Sequence, residues 1–342
     1  MLRSCWIVLI FFSTSSWSFE SIEEITVTAH RMPTASVPRI EILEREAIEQ
    51  RGRSVGPDVL ATLPGLAISR TGAFGGVTQI RVRGAEANHL QVLIDGIEVN
   101  DPAIGSEYAF AHLNLTGVER IEFLPGAQSA LWGSDAVAGV LNLLTRPLGK
   151  RREMTITGGS FDTLQTRFQF ANSTENGYYS LAASRYETDG TNISLTGTED
   201  DGYDNTMFHF NGGLTGEKYG VQLVVRRTDS ETETDPAPFP VSVPVDGDNR
   251  TDLKQTAAKL EVSADFMEGR WLQSLSVSYL KTENDNRMIG LVTDEVDGKR
   301  LKFGIKQHFR LNEHQTFTAI LEREEEKFTQ RGTPSFFGDP NQ

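Results

Sequence analysis

Trp271-Leu272-Gln273-Ser274-Leu275-Ser276-Val277-Ser278-Tyr279 puts Leu275, Val277 and Tyr279 on one face of an extended chain and Ser274, Ser276 and Ser278 on the other. Successive side chains of a strand point to opposite faces, so this is a strand with one apolar side and an aromatic residue at each end. The same grammar recurs. Leu164, Thr166, Phe168 and Phe170 oppose Gln165, Arg167 and Gln169. Tyr179, Leu181 and Ala183 oppose Ser180, Ala182 and Ser184, and Tyr219, Val221, Leu223 and Val225 oppose Gln222 and Arg226. Leu301, Phe303, Ile305 and Phe309 oppose Lys302, Lys306 and His308. Soluble sandwiches alternate too, but seldom repeat long strands with aromatic ends. Strands that cross a bilayer need roughly 9–11 residues, apolar outside and polar inside, with aromatic girdles. Short turns are expected at Gly158-Gly159-Ser160, Glu175-Asn176-Gly177 and Gly216-Glu217-Lys218, and long polar loops at 187–202, 229–251 and 284–297. Short turns on one side and long loops on the other are the layout of an outer-membrane barrel. Residues 148–342 are therefore expected to form antiparallel transmembrane β-barrel strands, about nine of them.

Working towards the N-terminus, residues 37–147 have a compact α+β pattern. Glu44 to Gln50 and Pro57 to Leu63 are expected to be helical; Pro57 suits a first helical position and Leu63-Pro64-Gly65 stops the helix. Short strands are expected at Leu66–Ser69, Gln79–Val82, Leu90–Ile94, Glu119–Phe123 and Val140–Leu144, with Asp95-Gly96 turning a hairpin into Ile97-Glu98-Val99. Residues 19–36 read as a flexible arm in which Ile25 and Val27 face away from Thr26 and Thr28, ended by Met32-Pro33. Residues 1–18 read as a secretory signal: Arg3, then the apolar run Cys5 to Phe12, then Ser16-Trp17-Ser18 before the cut. Eight residues make a helix of roughly 12 Å, too short for a hydrocarbon core of about 30 Å. Removing the leader removes Cys5, the sole cysteine, so no disulfide or cysteine metal site is expected. The formal net charge of −14 argues against nucleic acid as a partner.

Two segments resemble a known family, the TonB-dependent outer-membrane receptors. Glu24-Ile25-Thr26-Val27-Thr28-Ala29 is similar to a TonB box, and Arg120 to Thr145, with Pro125-Gly126 and Trp132-Gly133-Ser134-Asp135-Ala136 inside it, resembles the signature of the family's plug domain. Val92-Leu93-Ile94-Asp95-Gly96 and Ile80-Arg81-Val82-Arg83-Gly84 resemble two further plug motifs. One departure is visible: the family usually has Arg-Gly-Pro where this chain has Pro125-Gly126-Ala127, so no role of that arginine carries over. The resemblance implies an α+β plug inside a barrel of about 22 strands. Only 192 residues follow residue 150, and an open sheet would leave raw edges in lipid, so the chain is expected to be the N-terminal part of a longer protein.

Within the family the resemblance is closest to cobalamin receptors. It implies energised import of a scarce nutrient, cobalamin foremost, with a ferric siderophore or haem as the alternative cargo. A passive channel or adhesion barrel is the reading from another class, and a folded stopper of this size argues against it. The implied partners are TonB, gripping Glu24 to Ala29 as an added strand, the outer membrane with its lipopolysaccharide, and the cargo; a monomer is expected. Plug positions expected near cargo are Gly72, Phe74, Asn100, Asp101 and Tyr108. The resemblance also implies calcium in the loops, at Glu199, Asp201, Asp229 and Asp248. Residues 199–252 hold twelve acids against four bases, which fits either that cation or a solvated loop facing lipopolysaccharide. Catalysis is not expected. Ser134-Asp135 has no nucleophile-elbow context, the six histidines show no paired ligand spacing, and Gly72 to Gly76 lacks the Lys-Ser/Thr of a phosphate loop.

Overall fold

The structure, a computed structural model, describes residues 7–14, 40–51, 55–194, 197–237, 243–312 and 315–332. The described chain opens with a strand β1 (Ile7–Thr14), and an inner domain follows. That domain comprises β2 (Glu41–Glu44), α1 (Arg45–Gln50), α2 (Gly56–Leu60), β3 (Leu66–Arg70), β4 (Thr78–Val82), β5 (Leu90–Ile94), β6 (Ile97–Glu98), β7 (Arg120–Pro125), α3 (Ser129–Trp132) and β8 (Gly139–Leu144). Five of these strands form one sheet, in the order β2-β7-β8-β5-β6, and β3 and β4 form a separate hairpin. Among the described strands only β5 and β8 run parallel, Gln91 opposite Val140, which the long crossover from Ile94 to Gly139 allows. The expected elements are present with ends moved by a residue or so, and the second helix stops at Leu60. Asp95 and Gly96 both have positive φ (49° and 77°), the turn an Asp-Gly hairpin calls for.

The wall is an antiparallel meander: β9 (Arg151–Gly158), β10 (Leu164–Thr174), β11 (Gly177–Thr188), β12 (Tyr203–Thr215), β13 (Tyr219–Thr234), β14 (Asn249–Phe266), β15 (Trp271–Met288), β16 (Leu291–Asn312) and β17 (Gln315–Gly332). Leu223, Leu260, Leu275 and Phe303 sit on its outward face, while Val224, Ala257 and Leu280 on the other face join the core of the inner domain with Phe110, Ile121, Phe123 and Leu141. The inner domain therefore lies against the concave, lumen side of the wall. No helix among the described residues is long and apolar enough to cross a membrane.

Three expectations are corrected. The expected loop 284–297 is a tight hairpin, with strand pairing up to Met288 and from Leu291 onwards. The loop expected at 229–251 shrinks to the segment between Thr234 and Asn249. The turn after Gly158 lies on the long-loop side, because a meander alternates sides at every connection; the Asp189 amide donates to the Phe161 carbonyl at 3.0 Å, tying that turn to the start of the next long loop. At the other end of the chain, β1 is part of the apolar run expected to serve as a leader, and it pairs antiparallel with β17. Strand β17 otherwise ends the sheet with unpaired backbone groups, which any apolar extended segment satisfies.

Candidate functional site: the seat of the inner domain and the loop mouth

The inner domain is seated on the wall through polar side chains. Arg45, at the start of α1, donates to Gln169 Oε1 on β10 at 2.6 Å and pairs with Glu119 at 3.1 Å and Glu153 on β9 at 3.0 Å. At the Asp95-Gly96 turn, the Thr145 hydroxyl donates to Asp95 Oδ2 at 2.7 Å, and His209 Nε2 on β12 lies 3.1 Å from the same oxygen. Asn211 Nδ2 donates to Thr145 Oγ1 at 3.0 Å. Further round the wall, Arg226 donates to the Asn114 carbonyl at 3.1 Å and Lys259 to the Asp95 carbonyl at 3.3 Å. Arg300 on β16 donates to the Asn100 carbonyl at 2.7 Å, and Arg300 and Lys302 each lie 3.1 Å from Glu98. A neutral hydrogen bond contributes about 1 kcal/mol net, and buried ion pairs roughly repay their desolvation. Beside the apolar contacts of Val224, Ala257 and Leu280, these polar contacts fix the position of the inner domain on the wall.

On the long-loop side, Phe74 stacks on Tyr186 (5.1 Å) and meets Tyr203 edge-on (5.3 Å), so an apical loop of the inner domain is clamped by β11 and β12. His112 stacks on Tyr203, and its Nδ1 lies 3.1 Å from the Tyr203 hydroxyl. Burial lowers the His112 pKa to about 4, so this ring is neutral at neutral pH. Gly72 is exposed in the same loop, with Ile193 of the wall's first long loop close by. The other expected cargo positions are occupied structurally. Asn100 is fully buried: its Oδ1 accepts from the Val92 amide (2.7 Å), and its Nδ2 donates to the Leu90 (2.9 Å) and Ser106 (2.8 Å) carbonyls. Asp101 is buried, accepts from the Ala103 amide at 2.9 Å and from Asn284 Nδ2 at 3.2 Å, and starts a short turn. Tyr108 lies in the core edge-on to Phe110 at 5.0 Å.

The acidic loops converge at the same end. Carboxylate oxygens of Glu199, Asp235 and Asp246 lie within 4.8 Å of one another. Partial desolvation and repulsion from Asp246, Asp235, Glu233 and Asp248 push the Glu199 carboxyl above its ordinary range. Asp201 is raised as well, by burial and by the same acids, although the Ile193 amide donates to it at 3.0 Å. Of the four positions expected to hold calcium, Glu199 is in this cluster and Asp201 and Asp248 border it. Asp229 is not: it points from the outward face of β13 and pairs with Arg227 at 2.6 Å. Its strand parity puts it on the opposite side of the wall from the lumen. Asp235 and Asp246 are hidden in the sequence among twelve acids, since Glu199 stands in one long loop and these two in the next, and only the folded strands bring the loops together. Glu24 to Ala29, the expected TonB box, lies outside the described residues.

Residues 33–140 match the family model described as TonB-dependent Receptor Plug Domain. The chain is 28% identical over 327 residues to "Vitamin B12 transporter BtuB" of Photobacterium profundum, an alignment covering 92% of this chain and 52% of that protein. Residues 33–140 are a TonB-dependent receptor plug, and the chain as a whole is BtuB-like. The inner domain is that plug, the wall is the start of the receptor's barrel, and the place is the outer membrane of a Gram-negative bacterium. A second relative, "Vitamin B12 transporter BtuB" of Vibrio cholerae serotype O1, is 34% identical over 140 residues, covering 40% of this chain and 23% of that protein. The chain spans about half the length of the relative matched along most of it. Among solved structures, the siderophore receptor PiuA from Acinetobacter baumannii superposes with a TM-score of 0.69 at 14% identity, covering 93% of this chain and 50% of that one. The copper transporter OprC superposes with a TM-score of 0.64 at 16% identity, covering 90% and 48%. At those identities the likeness is one of fold.

Proposed function

We propose that the protein imports cobalamin across the outer membrane, driven by TonB acting on Glu24 to Ala29. One observation carries the cargo: the likeness to a vitamin B12 transporter runs through plug and wall alike, at 28% identity over 92% of the chain. The geometry supports energised import over passive flow. A plug held by Arg45, Asp95, Glu98 and Asn100 against four or more wall strands blocks the lumen, and these contacts have to be exchanged before anything passes. A partner that adds a strand to a five- or six-residue box gains a few kcal/mol at about 1 kcal/mol per net hydrogen bond, a grip suited to repeated release. The acids Glu199, Asp235 and Asp246 are proposed to bind calcium, a hard cation that takes carboxylate oxygens and ties the two loops together.

A strain lacking its own receptors, supplied with this protein, is grown on limiting cobalamin and separately on limiting iron with ferric siderophores or haem. Growth restored only on cobalamin is the expected result; growth restored only on an iron source transfers the protein to that cargo. Deleting residues 24–29 is expected to abolish uptake while cobalamin binding at the cell surface persists. Uptake that survives the deletion overturns the TonB assignment.

A further inference from the structure

The hairpin joining β15 to β16 is tipped by five residues without a polar side chain, Met288-Ile289-Gly290-Leu291-Val292. Met288 is 48% exposed, Ile289 76%, Leu291 72% and Val292 45%. Single exposed apolar residues are ordinary, but four in one tip call for a cover. The turn itself does not need them. Ile289 and Gly290 both have positive φ (52° and 72°), and such a two-residue turn is made most easily by Asn-Gly or Asp-Gly. A β-branched residue crowds its own backbone there, so the isoleucine points to a task for the side chain. Lipid is not that task. Tyr279 ends the apolar face of β15, and the ten residues from it to Ile289 climb roughly 30 Å along the strand, past the polar Asp285, Asn286 and Arg287.

The neighbours of the tip are set on both sides. Towards β14, the Ile289 amide donates to the Asp248 carbonyl at 2.8 Å, which ties the tip to the second long loop. Towards β17, the described pairing stops with Asp294 opposite Gly332, so β16 rises past its neighbour by three residues to Leu291, roughly 10 Å. The sequence after Gly332 is Thr-Pro-Ser-Phe-Phe-Gly-Asp-Pro-Asn-Gln, residues 333–342, which lie outside the described residues. Pro334 has no N–H with which to extend the ladder. Phe336 and Phe337 stand four and five residues beyond Gly332, a reach of roughly 13–17 Å, enough to arrive at the tip. Two phenylalanines beside a polar stalk need cover as the tip does, and each can bury roughly 150–250 Å². Two copies meeting tip to tip would bury far less than the roughly 1,200–2,000 Å² of a stable interface.

We infer that the tip, residues 288–292, is an apolar dock for Phe336 and Phe337 of the same chain. The dock completes a clasp on the extracellular side. The second long loop is held to the tip by the hydrogen bond between Ile289 and Asp248, and the tip is held to the segment after β17 by apolar contact. Three neighbouring segments then move as one body at the mouth, with no cation required. The clasp depends on neither TonB nor the cargo, so a failed import test leaves it standing.

The test is made on the full-length protein in outer membranes, with every other cysteine replaced by serine. Leu291→Cys is combined with Phe336→Cys in one variant and with Phe337→Cys in another, and both are oxidised. An intramolecular disulfide is expected in at least one of them, at about tenfold the yield of Lys281→Cys with Phe337→Cys, because Lys281 stands seven residues below Met288, roughly 23 Å down the strand. No excess in either variant overturns the clasp. A disulfide formed only between two molecules overturns it in favour of a second copy, and a yield abolished by saturating cobalamin overturns it in favour of the cargo. Ile289→Asn separates a task for the side chain from a task for the turn, since asparagine suits the positive φ better. With the clasp, Ile289→Asn is expected to speed proteinase K cleavage within residues 333–342 by about tenfold, through loss of buried apolar area. Phe336→Ala with Phe337→Ala is expected to speed cleavage at the tip likewise. Heat-modifiable electrophoretic mobility reports whether each barrel is folded. Unchanged or slower cleavage within 333–342 in folded Ile289→Asn overturns the dock.

Discussion

At Asn100 a single carboxamide closes three backbone hydrogen bonds inside the plug, to Val92, Leu90 and Ser106. Asn100→Ala leaves those groups buried and unpaired, and each unmet partner costs about 1–3 kcal/mol. The expected result is faster hydrogen exchange at the Val92 amide and a plug less stable by roughly 3 kcal/mol or more; unchanged protection at Val92 contradicts it. His112 gives a pH prediction. Its folded pKa of about 4 lies below its ordinary value of 6.5, so the unfolded chain takes up a proton that the folded chain refuses. Stability contributed by the neutral ring is present above pH 6.5 and is lost as pH falls towards 4. The Phe74 loop is therefore expected to exchange faster with hydrogen isotope at pH 5 than at pH 7, beyond the intrinsic change in rate, and His112→Gln to flatten that difference. The sequence could place Asn100 in the plug, among the positions expected near cargo, but could not show its task, because polar side chains buried in a core and polar side chains facing cargo look alike along a chain.

Strands β15 and β16 run for 18 and 22 residues, and 22 residues at 3.3 Å extend about 70 Å, far beyond a bilayer. Where they cross lipid, Leu275, Val277 and Tyr279 alternate with serines, and that alternation made the strands legible. Above the membrane both faces are polar: Thr282 and Asn284, buried against the plug, on one side, Glu283 and Asp285 on the other. Backbone pairing continues there without a hydrophobic period to announce it, which is why 284–297 reads as a loop. The lipid face is expected to be intolerant of charge. Leu275→Arg, within the apolar band, is expected to cost about 2–4 kcal/mol in urea-induced unfolding from lipid vesicles, with Thr256→Arg near the border costing at most about 1 kcal/mol. Equal costs at the two positions contradict the assigned boundary.

Across the whole molecule, an α+β plug followed by about nine antiparallel strands was legible from periodicity and turn spacing, whereas the contacts between the two were not. Arg45 and Gln169 are 124 residues apart and Asn100 and Arg300 are 200 apart. Lumen-facing polar residues carry no local mark of their partner. The loop mouth depends on the same long-range folding. If calcium joins Glu199, Asp235 and Asp246, millimolar calcium is expected to slow proteolysis of the two long loops, with half-saturation near roughly 10⁻⁴–10⁻³ M. The triple variant Glu199→Gln, Asp235→Asn, Asp246→Asn is expected to be insensitive to calcium. Because the Glu199 and Asp201 pKa values are raised, acid alone is also expected to steady the loops, by protonating carboxyls that repel one another. Calcium protection that persists in the triple variant places the cation elsewhere.

The short edge strand β2 has a mechanical meaning. It is joined to the sheet by four residue pairs with β7, from Glu41 opposite Phe123 to Glu44 opposite Arg120, and Arg45 follows at once with its ion pairs to Glu119 and Glu153. Tension arriving along the backbone from before Ile40 therefore meets a weak seam first and a charged anchor directly behind it. The seam yields at small force, and the anchor hands the load across to the barrel, so the first step of any extraction is short and the second is decided at Arg45.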